Sequence, residues 1–163
     1  MKSFEKTLGE DHQRTLFNVV KLGAIYSNMD RQEEALPYGI KAVETYQKTL
    51  GERHLYTIGS MYNLTIIYGR LDRFQEAEPL AQAVFEAKRD SLGDRHPETV
   101  DAMEILEMVY EALKRDKEAS SLRWEVTKAR VDAYRNKHRK RFSHNNLLSL
   151  GAKALVTALD RFE

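Results

Sequence analysis

The sequence predicts an all-α solenoid of about three stacked helix pairs, and three observations carry that prediction. A short string recurs: "LGEDHQRTL" from Leu8, "LGERHLYTI" from Leu50 and "LGDRHPETV" from Leu92. Between the strings, apolar residues fall at three- and four-residue spacing in two runs, the mark of a helix face. No stretch shows the apolar–polar alternation of a half-buried strand.

The interval between strings is 42 residues. Gly9, Gly51 and Gly93 keep it, as do His12, His54 and His96, and Thr15, Thr57 and Thr99. So do Tyr26, Tyr68 and Tyr110; Arg31, Arg73 and Arg115; Glu34, Glu76 and Glu118; and Ala35, Ala77 and Ala119. A fixed period without insertion signifies units that bury their apolar faces only by stacking on one another. The units are 6–47, 48–89 and 90–131, followed by a remainder, 132–163.

Within the second unit, Ile58, Met61, Leu64, Ile67 and Leu71 form the stripe of a first helix. After the break "RLDR", Phe74, Ala77, Leu80, Ala81, Val84 and Ala87 form the stripe of a second. Ala77 is small where a neighbouring helix must approach, and Tyr68 is the bulky partner for that gap. Pro37 and Pro79 are expected near the start of their helices, where a missing N–H costs least. Tyr and Met residues outside the groove named below are expected in the core.

"NLTIIYGRLDRFQEAEPLAQAV", with its Asn-Leu-x-x-x-Tyr and Glu-Ala-Glu elements, resembles the tetratricopeptide repeat. The 42-residue length and the "LGExH" link are similar to the kinesin-light-chain type of that repeat. The resemblance covers residues 5–131 and implies a right-handed superhelical solenoid of helix-turn-helix repeats. Copy three departs from the pattern at Glu107, where a small residue is usual, and at Lys114, where the family has glycine. Altered helix packing is therefore expected there.

The recurring histidines raise the question of a metal. Equivalent residues in stacked helix pairs stand about 10 Å apart, whereas zinc ligands lie about 2.0–2.1 Å from the ion, so His12, His54 and His96 cannot share one. Helix capping fits better. His96 suits the cap, Pro97 the first helical position, and Glu98 the positive end of the helix dipole. Gly93 then ends the preceding helix in a left-handed conformation.

The resemblance implies that first helices line a concave face. The groove candidates are Phe17, Val20, Lys21, Ala24 and Asn28 in copy one. Copy two contributes Tyr62, Asn63, Ile66 and Arg70; copy three contributes Asp101, Glu104, Met108 and Glu111. This groove grades from apolar to acidic, and its acidic end favours a basic or neutral segment. The family's backbone-gripping asparagine corresponds to Asn63 alone, since Lys21 and Ile105 stand at the equivalent positions. The family's carboxylate clamp, which needs two asparagines and flanking lysines, is not assembled.

The C-terminal third differs in charge. Residues 1–114 carry 14 Lys and Arg against 19 Asp and Glu; residues 115–163 carry 12 against 6. From about Asp116 a helix lacks a stop signal and is expected to run to about Lys140, with Trp124 on its inner stripe beside Val131. "RNKHRKR" at 135–141 has no stacking aromatics, so it reads as a solvated helix end before it reads as a nucleic-acid site. Ser143 or Asn145 can cap a last helix whose apolar face holds Leu148, Gly151, Leu155, Ala158, Leu159 and Phe162. That helix either caps the solenoid or meets another chain in a weak homodimer. "SFEKTL" before Gly9 reads as the tail of an earlier second helix.

The 163 residues, 42% hydrophobic and 31% charged, are ordinary for a globular chain. Without cysteine there is no disulfide or thiolate chemistry. Neither a signal peptide nor a membrane-length apolar run is present, which points to the cytoplasm or nucleus. No phosphate loop, activated nucleophile or metal cluster stands out, so no catalytic residue, cofactor or metal is expected. The expected function is a non-catalytic interaction scaffold that binds a peptide or partner protein in its groove, as the sensor or regulatory part of a larger switch protein. The alternatives are a small-molecule or enzymatic groove using Tyr62, Asn63, Arg70 and Glu104, or nucleic-acid contact through 135–141.

Overall fold

The computed structural model describes residues 20–138, apart from 22, 24 and 28. After helical residues within 20–27 come five helices: α1 (Gln32–Leu50), α2 (Leu55–Arg70), α3 (Phe74–Leu92), α4 (Pro97–Ala112) and α5 (Asp116–Lys137). Among the described residues there is no strand. Each helix packs chiefly on its neighbours in sequence, making an all-α solenoid of stacked pairs. The last helix expected from 143–163 lies outside the described residues.

The predicted stripes form the core. Ile58, Met61, Leu64 and Ile67 of α2 are buried, as are Ala77, Ala81 and Val84 of α3; Leu71, Phe74, Leu80 and Ala87 pack partly buried against them. Met103, Leu106 and Val109 repeat the pattern in α4.

The joints between helices reproduce the period at atomic level. Each first helix closes on a left-handed residue: Asp30, Asp72 and Lys114 have φ of 60, 56 and 61°. The Arg31, Arg73 and Arg115 amides then donate 2.9 Å bonds to the carbonyls of Tyr26, Tyr68 and Tyr110, the Schellman closure of a helix end. Each guanidinium lies over the same tyrosine ring, 4.9, 4.9 and 4.3 Å from its centre. Each also pairs forward with the glutamate three residues on, Glu34, Glu76 or Glu118. Those carboxyls are held below the usual range, by the arginine for Glu34 and Glu76 and by its own helix-start amide first for Glu118. The departure at Lys114 is therefore not peculiar to copy three, since the other two copies also lack glycine there.

The other joint answers the histidine question. His54 Nδ1 accepts the Tyr56 amide and His96 Nδ1 accepts the Glu98 amide, each at 3.2 Å. Both are N-caps, and Pro97 follows at the first helical position. His12 lies outside the described residues. His96→Asn should keep the cap with little change in stability, while His96→Ala should cost about 1 kcal/mol, read by chemical denaturation. Metal-dependent melting lost on either change would contradict the cap. Gly51 and Gly93 end α1 and α3 with φ of 89 and 83° but ψ of 165 and 163°. This is the extended positive-φ region reserved for glycine, not the left-handed helical one expected.

Four further expectations are corrected. Pro37 and Pro79 are the sixth residues of α1 and α3, one turn deeper than the position where a missing N–H is free. Trp124 is 39% exposed, and the inner stripe of α5 is instead Ala119, Leu122, Val126 and Ala129. Tyr56, Met29 and Tyr134 are also exposed and lie outside the core. Copy three keeps the helix-pair arrangement by a paired exchange. Glu107 and Arg123 stand where copy two has buried Thr65 and Ala81, and Arg123 Nε donates to Glu107 at 2.6 Å.

Candidate functional site

Two adjoining hollows lie along the first helices. The larger, about 490 Å³, runs from Val20 past Tyr62 and Asn63 to Asp101. The smaller, about 170 Å³, takes in Val20, Asn63, Ile66 and Arg70. Asn63 and Val20 thus stand on the seam between them, with Ser60. Lys21, Glu104, Met108 and Glu111 lie outside both hollows, and Phe17, Ala24 and Asn28 fall outside the described residues.

Several candidates are already engaged. Arg70 Nη1 donates to the Ser27 carbonyl at 2.9 Å, tying the second copy to the end of the first copy's leading helical segment. Glu104 pairs with Arg130, and Glu111 with Arg123. The acidic end is therefore not bare, because α5 lays arginines along it. Asp101 has no ionic partner among the described residues, and the Asn63 amide makes no hydrogen bond to them.

Other lining residues escaped the sequence reading. Leu55 and Tyr56, just past the His54 cap, stand on the rim, 69 and 57% exposed. Gly59 and Ser60 lie one turn on, and Tyr46 and Lys88 enter from the second helices of copies one and two. The last two are 42 residues apart, and Arg130 follows at the same interval; that repeat was the available signal. The Tyr46 and Tyr56 rings are 5.7 Å apart. Burial, then Tyr56, pushes the Tyr46 phenol above its ordinary value and keeps it neutral. Lys88 hydrogen-bonds Glu98 and holds that carboxyl below the usual range. The groove is thus an aromatic and amide surface with one unmatched carboxylate. Of the basic run 135–141, residues 135–138 are described, and Arg135 lies 3.9 Å from Asp132. Among the described residues no group of three or more His, Asp or Glu gathers where a metal ion could bind, and no helix is long and apolar enough to cross a membrane.

Comparison with known proteins agrees with the fold. The tetratricopeptide-repeat family model matches residues 14–90. Two solved structures from Podosopora anserina, of a protein described as a kinesin light chain with nearly identical TPR-like repeats and of a variant of it, share 21% identity with the chain. They superpose with TM-scores of 0.63 and 0.64 over 90 and 92% of its length. The chain spans 64 and 66% of those structures, about two-thirds of their length. No curated protein matches. Residues 14–90 thus match the tetratricopeptide-repeat family, and the fold of the chain, with its 42-residue period, its Tyr–Arg–Glu joints and its stacked helix pairs, is similar to that of the kinesin-light-chain type.

Proposed function

We propose that the protein is a non-catalytic scaffold whose concave groove holds an extended segment of a partner protein, gripped at its backbone by Asn63. The supporting observation is the place of Asn63, exposed on the seam of both hollows with an unspent amide. A primary amide offers a donor and an acceptor together, the pair that an extended backbone presents. Tyr62 and Ile66 flank it with apolar surface, and Asp101 leaves the far side suited to a neutral or basic segment. Such a module suits the sensing part of a larger switch protein.

Photo-crosslinking from position 63, with exposed Glu44 as the control position, identifies the partner for titration. Asn63→Ala is expected to weaken that partner by about tenfold, the loss of one or two hydrogen bonds, at unchanged melting temperature. Equal affinity of both proteins would remove the clamp, and equal crosslinking from position 44 would remove the groove.

A further inference from the structure

We infer that the larger hollow is a subsite for one large apolar side chain with a basic neighbour, and that Gly59 creates it. The inference rests on the peptide reading above and adds the class of segment bound. The repeats supply an internal comparison: at this groove position copy one has Phe17, copy three Asp101 and copy two Gly59. Nothing lies within 4 Å of where a Gly59 Cβ would stand, so the absent side chain leaves open space. Gly39 is different, because a Cβ there would meet Leu64 Cδ1 at 3.1 Å and Ile67 Cδ1 at 3.3 Å, so close helix packing accounts for the glycine. A mid-helix glycine weakens its helix, and at position 59 no packing accounts for that loss. Gly69, also open, lies outside both hollows.

The space beside Gly59 has apolar walls. Leu55 and Tyr56 are mostly exposed, Tyr46 and Tyr62 complete the enclosure, and an apolar occupant would remove all four from water. The volume of about 490 Å³ falls within the roughly 300–1,000 Å³ of hollows that accept organic groups. Charge sets the neighbour: Lys88 and Glu98 neutralise each other, and the Asp101 carboxylate remains to attract a cation. The fitting segment carries Phe, Trp, Leu or Met with Lys or Arg within two residues.

Selection of a random heptapeptide display library on the full chain tests this. Enriched peptides are expected to show that pairing. A synthetic enriched peptide should bind Gly59→Leu at least tenfold more weakly, since leucine fills the space, at a melting temperature equal to or above that of the parent, because a mid-helix glycine has been replaced. Gly59→Ala, too small to fill it, should retain binding, and Asp101→Lys should erase the basic preference. Peptides without an apolar anchor, or indifferent to Gly59→Leu yet weakened by Asn63→Ala, would overturn the subsite and leave the peptide reading standing. No enrichment, or binding indifferent to both substitutions, would overturn both.

Discussion

Leu106→Ala is expected to destabilise the chain by about 2–5 kcal/mol, the range for removing a buried leucine from a core that relaxes only in part. Leu106 is 1% exposed in α4, which packs on α3 before it and α5 after it. The gap therefore opens beside both seams at once. In a stacked array stability is nearly a sum of unit and interface contributions, so the loss should concentrate there. Hydrogen exchange should show α4 and α5 opening first, while α1 and α2 keep most of their protection. A loss below about 1 kcal/mol, or one spread evenly along the chain, would show that the seam closes around the gap or that the array unfolds as one body.

Gly93→Ala is expected to cost about 1–3 kcal/mol, the strain of placing a Cβ in a region essentially confined to glycine. Space is not the obstacle, since nothing lies within 4 Å of the added carbon. The cost comes from φ of 83° with ψ of 163°. The same change at Gly51 should behave alike, because its backbone is nearly the same. For a chain of this length the effect amounts to a fall of about 2–4 °C in melting temperature for each kcal/mol. An unchanged melting temperature at both sites would mean the joint relaxes into an ordinary turn.

The parts of the fold legible in the sequence were those governed by short offsets. A cap two residues from its amide, a glycine at a helix end and an apolar stripe all repeat within one unit, and the 42-residue period displays each several times. What escaped depends on pairs that only stacking brings together. Glu107 and Arg123 each break the pattern when read singly, yet across the α4–α5 seam they satisfy one another. The arginines that neutralise Glu104 and Glu111 come from α5, so the groove's acidic end could not be judged from its own helix. Tyr46 and Lys88 reach the groove from second helices, whereas the candidates were drawn from first helices alone. Trp124, expected on the inner stripe of α5 beside Val131, stands outside it because four smaller residues fill that stripe.

The sequential packing of the helices has a mechanical consequence. With each described helix resting chiefly on the one before and the one after, no clasp of comparable extent joins distant turns. A pull on the two ends passes through the seams in series, and each yields a small rotation before any helix uncoils. Elastic compliance therefore adds up along the array as it does in a coil spring. The spacing between successive first helices becomes a soft coordinate, one that tension can reset.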